Sequence, residues 1–369
     1  MPRPQPIMLM IRQLDLGGTE RQLAEIAKNL DRDRFEPHVA CFRTEGLCGQ
    51  ELQAAGLPIV QFSVRSMLSV SAFASARQLG RYLSRHSIRL IHCFDVPADI
   101  WGVFAARWFR APVVLSSQRA HRSLTPGSPR TLLRLTDRLV DAVVVNCEAM
   151  RRHLIEDEKV PASLTRLCYN GVDTSRFQPG PRRRPPELRE ASLVIGAACE
   201  IRREKGLSTL LEAFARVRGL RDGMKLLLVG DGPYLPDLCR RARELGIEED
   251  LVTLPKALRV EEWLRVFDIF VLPSLSEALS NSLMEAMGSG CAVVASDVGG
   301  NPELVTPERN GMLFPAGNAA GLAQCLERLI RSECLRRQLA EHSVQLIRER
   351  FSVRASVEQM QSIYASFLK

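Results

Sequence analysis

Glu277 and Glu285 stand eight positions apart, and the segment between them carries the strongest chemical signal in the chain. The apolar run Ile269 to Leu272 reads as a strand, which puts Glu277 in the loop that follows it. Ser280, Asn281 and Ser282 are good N-cap residues and mark a helix start, with Glu285 about one turn inside. A helix start offers unpaired N–H groups and the positive end of the dipole, so it can hold a phosphate. Glu285 can then grip a diol, and Glu277 can face whatever the phosphate carries. Phosphate, ribose and sugar in one short segment read as a nucleotide-sugar site. Taken alone, an N-capped surface helix with two unrelated acids fits the segment equally well.

Three other segments fall where strands give way to helices. Leu16-Gly17-Gly18-Thr19-Glu20 follows the first strand. Its paired glycines let backbone approach a ligand closely, although a plain tight turn has the same composition. It is not the G-x-G-x-x-G dinucleotide fingerprint, so NAD binding is not inferred. Glu200-Ile-Arg202-Arg203-Glu204-Lys205-Gly206 follows the first strand of the second half. Arg202 and Lys205 there can neutralise a diphosphate leaving group, while a solvated charge run would look similar. Gly230-Asp231-Gly232-Pro233 marks a further strand-to-helix turn, for which structural use is the better reading.

Apolar strand-like runs alternate with amphipathic helix-length segments throughout. Strands are expected near 7–12, 37–42, 58–61, 89–93, 112–116, 142–146 and 165–168, then near 193–198, 225–230, 251–254, 269–272 and 292–296. Helices are expected over stretches such as Glu20 to Leu30, Ala72 to Ser84, Leu207 to Val217 and Val353 to Leu368. This alternation predicts an α/β chain with parallel sheets. At 369 residues it exceeds one hydrophobic core. The expected division is 1–177, a Pro- and Arg-rich linker over 178–190, and 191–351, with ligand bound in a central cleft faced by both sheets.

Composition excludes several classes. The ten cysteines are scattered, with no Cys-x-x-Cys pair, which argues against disulfides or a zinc site and favours a reduced, cytoplasmic setting. No run reaches the roughly 18 apolar residues of a membrane span, and Ile7 to Ile11 is too short for a signal-peptide core, so a soluble protein is expected. Of the net charge of +8, residues 1–180 supply +7, from 24 Lys/Arg against 17 Asp/Glu. Arg77, Arg81 and Arg85, and then Arg130, Arg134 and Arg138, recur at helical spacing. Each set reads as a solvated face or as a stripe attracting a lipid-diphosphate acceptor or anionic lipid headgroups at the inner face of the plasma membrane. Nucleic acid is not expected: only 6% of residues are aromatic, and no recognition motif interleaves with the basic ones.

Taken in order, these segments resemble the GT-B glycosyltransferases of the retaining group called family four. The resemblance covers nearly the whole chain: Gly17-Gly-x-Glu20, Asn170-Gly-Val-Asp173, Arg202-x-x-Lys205-Gly, Gly230-Asp-Gly-Pro233, Leu272-Pro-Ser274, Glu277-x₇-Glu285, Glu285-Ala-Met287 and Val298-Gly-Gly-Asn-Pro-Glu303. It implies two Rossmann-like domains, with the donor nucleotide on the C-terminal one and a final helix, about 352–369, crossing back to the N-terminal one. It places Glu277 by the donor sugar, Glu285 on the ribose hydroxyls, and Arg202 and Lys205 on the diphosphate. Gly17, Gly18, Gly230, Ser280, Asn281 and Ser282 complete the expected donor set. Two departures stand out. Glu200 replaces an Arg common two positions before Arg202. Gln118 or Arg119 stands where many relatives carry an acceptor-side His. His92 and Asp95, at another strand end, are the remaining acceptor-side candidates, although a structural His is the stronger reading of His92.

The expected reaction moves a sugar from a UDP- or GDP-linked donor to a saccharide or lipid-linked saccharide acceptor, with retention at the anomeric carbon. A leaving phosphate oxygen can take the acceptor's proton, so no protein base is required. No Asp-x-Asp metal motif stands out in the cleft segments, so metal independence is expected and no cofactor is assigned. Rival readings are a nucleotide-sugar 2-epimerase on the same scaffold, and a catalytically silent nucleotide-sugar-binding module.

Overall fold

The structure is a computed structural model, and it describes residues 3–64, 66, 69–125, 127–254 and 259–368. The chain forms two compact units, Met1–Gly171 with Val353–Lys369, and Val172–Ser352.

Strands buried on both faces must be apolar at consecutive positions, and helices must cover both sides of such a sheet. The first unit follows that rule with seven parallel strands: β1 (Gln5–Gln13), β2 (Phe35–Arg43), β3 (Ile59–Gln61), β4 (Leu90–Cys93), β5 (Val113–Gln118), β6 (Ala142–Val145) and β7 (Thr165–Leu167). Their order is β3-β2-β1-β4-β5-β6-β7. The second unit has six, also parallel: β8 (Leu193–Ala198), β9 (Met224–Val229), β10 (Leu251–Leu254), β11 (Ile269–Leu272), β12 (Ala292–Ser296) and β13 (Met312–Phe314). They run β10-β9-β8-β11-β12-β13. Every residue of β8 and β11 is buried, which is why both read as unbroken apolar runs.

Both orders reverse direction once, between β1 and β4 in the first unit and between β8 and β11 in the second. Helices leave toward opposite faces at such a point, and a crevice opens beyond the carboxyl ends of the two strands. The loops after β8 and β11 therefore flank one crevice, and those after β1 and β4 flank the other.

Twelve of the strands coincide with those expected. β13 was not anticipated; with three residues it carries no readable alternation. The final helix, Val353–Phe367, buries Val357, Met360, Ile363 and Tyr364 in the same cluster as Ile7, Leu9 and Leu23. Burial of side chains of this size contributes about 1.5–3 kcal/mol each. Segment 178–190 is not a free tether. It belongs to the second unit, where Arg182 and Arg184 both pair with Asp268, which also accepts from the N–H of Val194 at 2.8 Å.

Candidate active site

In the second unit β8 delivers Cys199 to Gly206 to the crevice, and β11 delivers Pro273 to Ser280. Their backbones are stitched together by the N–H of Leu275 donating to Glu204 O at 2.8 Å. The side chains meet as well. Lys205 Nζ donates to Glu277 Oε1 at 2.6 Å, and the same oxygen accepts from Ser274 Oγ at 2.8 Å. Ser274 is fully buried, and its own carbonyl accepts from Ser296 Oγ at 2.6 Å, so the last residue of β12 braces the group that orients Glu277. Burial pulls the Lys205 pKa down, but the Glu277 charge and hydrogen bond outweigh it and the net shift is upward. Lys205 is therefore a cation in a half-buried crevice, held beside a carboxylate with 11% of its side chain exposed. A cation so placed can stabilise negative charge that develops beside it.

Helix Asn281–Gly288 starts at the next turn. Ser280 is its N-cap: Oγ accepts from the N–H of Leu283 at 3.3 Å and lies 3.2 Å from Ser282 Oγ. Asn281 and Ser282 are half-buried at the helix start, and Glu285 is buried one turn on. Gly230 follows β9 with φ +141°, where a Cβ would stand 1.9 Å from Cys199 O, so this glycine permits close packing against the loop after β8. Arg202 is not drawn into the Lys205–Glu277 cluster. It is half exposed and paired with Glu200 at 2.6 Å, the acid that stands where an Arg was expected. To meet an anion beside Lys205 it must leave that partner.

In the first unit Gly17 caps helix Gly18–Asn29 after β1. Its φ is −83°, open to any residue, and what a Cβ would meet is the movable end of the Glu20 side chain, Oε2 at 1.9 Å. Asp95 caps helix Val96–Trp108, accepting from Ala98 N at 3.0 Å and, across the β1/β4 crevice, from Arg12 N at 3.2 Å. Burial pushes its carboxyl up to about 6 against the pull of those two donors.

Two acceptor-side assignments are corrected. His92 is fully buried on β4 with both ring nitrogens engaged, Nδ1 with Tyr364 OH and Nε2 with Ser117 Oγ, each at 2.8 Å. Burial holds its pKa well below the usual value, so it is a neutral link between the sheet and the final helix. Gln118 is also buried: Nε2 donates to Ala120 O at 2.6 Å, and Oε1 accepts from Arg122 Nε at 2.9 Å. Both are buried and held by partners of their own. Arg119 remains. It is half-buried, lies over the Phe94 ring at 5.0 Å, and donates to Asn170 Oδ1 at 2.8 Å.

Sequence reasoning missed the group behind Gln118. Arg122, only 1% exposed, donates through both Nη atoms to Asp137 at 2.7 and 2.8 Å. Arg130 and Arg134, expected on a basic stripe, both bind the buried carboxylate of Glu158, and Arg134 and Arg138 keep exposed positions. Burial works against the charged form of Glu158, but the two arginines prevail and lower its pKa.

Known proteins share this fold. The model of "Glycosyltransferase Family 4" matches residues 16–176, and that of "Glycosyl transferases group 1" matches 192–332. EpsF of Bacillus subtilis (strain 168), named for glycosyl transfer, is 31% identical over 305 residues, covering 79% of each chain. N-acetyl-alpha-D-glucosaminyl L-malate synthase of Bacillus anthracis is 30% identical over 182 residues, 49% of this chain and about half (48%) of that protein's length. Among solved structures, Anabaena Alr3699/HepE in complex with UDP superposes with a TM-score of 0.84 at 22% identity, over 98% of this chain and 100% of that one. The paired parallel sheets are thus the GT-B fold, and the chain belongs to the group 1, family 4 glycosyltransferases.

Proposed function

We propose that the enzyme transfers a sugar from a nucleoside-diphosphate donor to a hydroxyl of a saccharide or lipid-linked saccharide, retaining the anomeric configuration and needing no metal. The observation that carries this reading is the Lys205–Glu277–Ser274 cluster beside the Ser280-capped helix. As the bond from sugar to phosphate breaks, negative charge grows on the β-phosphate. Lys205, Arg202 once released from Glu200, and the helix start at Ser280 to Ser282 stabilise that charge. Glu277 faces the positive sugar, and Glu285 takes the ribose hydroxyls. The UDP held by the Anabaena protein supports a uridine donor as the first to try. Relatives named for lipopolysaccharide and lipid glycosylation support work on the bacterial envelope.

The test is a thermal-shift and donor-hydrolysis screen against UDP-, GDP- and ADP-sugars, with and without a divalent ion. One donor class is expected to raise Tm by mass action, equally with and without metal, and the shift should vanish in Glu285→Ala. A shift unchanged by Glu285→Ala, or seen only with metal, refutes the assignment.

The same reading puts the enzyme on the cytoplasmic face of an anionic membrane. Among the described residues no helix is long and apolar enough to cross a bilayer. Helix Val70–Arg85 carries Arg77, Arg81 and Arg85 and no acid, with Val70 and Phe73 87% and 66% exposed at its start. Arginines flanking exposed apolar side chains suit a headgroup layer. Co-sedimentation with phosphatidylglycerol vesicles should exceed that with phosphatidylcholine, and should fall with salt and in Phe73→Ser. Equal binding to both lipids would remove the membrane from the proposal.

A further inference from the structure

We propose that Arg119 holds an oxyanion carried by the acceptor, a carboxylate or a phosphate, so that the enzyme glycosylates acidic acceptors; this rests on the transfer reaction proposed above. Arg119 leaves β5 at its carboxyl end, in the first unit. Its guanidinium lies over the Phe94 ring at 5.0 Å, and Nη1 donates to Asn170 Oδ1 at 2.8 Å. Among the described residues, the buried Nε has no hydrogen-bond partner and Nη2 has none either. Nε and Nη2 form one edge of the guanidinium, a fork that takes a carboxylate or phosphate through two parallel bonds. That edge is unused.

The charge is unmatched as well. Three groups could offset it by ionising: Cys168, Tyr364 and Asp99. Burial favours the neutral form of each, pushing the Cys168 thiol up to about 11 and the Tyr364 hydroxyl and Asp99 carboxyl well above their usual values. Burial lowers the Arg119 pKa, but a guanidinium keeps its charge in a protein. Buried charges are paired as a rule, and Arg122, three positions on, follows it with both Nη atoms on Asp137. Arg119 does not, so it calls for an anion from outside the chain, and its half-buried position leaves it open to one. The loop is set before any ligand arrives, because Gln118 bonds both Ala120 O and Arg122 Nε on either side of Arg119. The donor's phosphates are met by Lys205 and the Ser280 helix start in the second unit, which leaves the acceptor to bring this anion.

The test is thermal-shift titration of the full chain with glucose 6-phosphate, glucuronate and glucose at fixed ionic strength. At least one of the two anionic sugars should raise Tm in the parent and in Lys205→Ala, and glucose should not. Arg119→Met should weaken that binding about tenfold or more. Arg119→Lys, which keeps the charge without the fork, should fall between the two. A shift with glucose 6-phosphate alone marks a phosphate-bearing acceptor, with glucuronate alone an acidic sugar, and with both a site that reads charge. Without ligand, Arg119→Met should melt at or above the Tm of the parent, because it removes an unpaired buried charge, whereas loss of a structural arginine would lower it. No shift with either anion, an equal shift with glucose, a shift that survives in Arg119→Met, or a ligand-free Arg119→Met that melts well below the parent overturns the inference. The nucleotide-sugar shift is read on the same parent sample. Its absence defeats the transfer reading, whereas its presence without an anion shift defeats this inference alone.

Discussion

Lys205→Ala is expected to lower kcat for transfer by about 10²–10³-fold, the usual loss when one preorganised donor to a developing anion is removed. The variant should stay folded, because Glu277 keeps its hydrogen bond from Ser274 and remains accessible to water. Glu277→Ala should fall by a similar factor. It leaves the ammonium without the carboxylate that positions it, and the donor sugar without its facing charge. Because the two groups share one bond of 2.6 Å, the double variant should be little worse than either single one. Additive losses would mean that the two act on separate steps. A Lys205→Ala enzyme within about threefold of the parent, a smaller effect than any oxyanion donor shows, would remove Lys205 from the chemistry.

The pH dependence follows from the upward shift of Lys205. A lysine whose folded pKa exceeds its unfolded value of about 10.4 contributes fully below that value, and loses the contribution only as pH rises through the folded pKa. Lys205 therefore stays charged between about pH 6 and 9, so a limb of the activity profile in that range does not come from it. Asp95, held at about 6, is the first to examine.

The loop that carries Glu277 and the helix that starts at Ser280 were legible because local rules place them. A buried parallel strand shows as an apolar run, the chemistry follows its carboxyl end, and Ser280 announces a helix whatever the rest of the chain does. Position along the chain cannot reveal a distant partner. His92 follows a strand-like run as Glu277 does, yet its two partners are 25 and 272 residues away, and they turn an apparent site residue into a structural one. Gln118 was misread for the same reason, since Arg122 and its partner Asp137 are brought in by other elements. The stripe of Arg130 and Arg134 has the right helical spacing, but Glu158 lies beyond the helix and claims both. Arg202 differs: its competitor Glu200 is two positions away, and the same substitution that marks a departure from the family also holds Arg202 off the cluster.

Gly299→Ala is expected to abolish most transfer by displacing the backbone that carries Glu277. Gly299 follows β12 with φ +54°, and a Cβ there would stand 1.9 Å from Glu277 O and 3.2 Å from Ala278 O. The next residue fixes the contact, because Gly300 N–H donates to Ala278 O at 2.7 Å. Alanine in this left-handed region costs about 1–2 kcal/mol in any setting. The overlap adds a displacement of either the turn, which breaks the Gly300 bond, or the 277–278 backbone. The second outcome moves the Glu277 carboxylate off Lys205 and Ser274, and a misplacement near 1 Å can cost about 10²-fold in rate. Gly317→Ala separates the two effects, since Gly317 has φ +74° but no atom within 4 Å of its Cβ position. It should lower Tm by the strain alone and leave kcat unchanged, whereas Gly299→Ala should lower Tm further and kcat by about two orders of magnitude. If both variants lose stability equally and keep full activity, the turn after β12 does not position Glu277, and the bracing of the site falls to Ser274 and Ser296 alone.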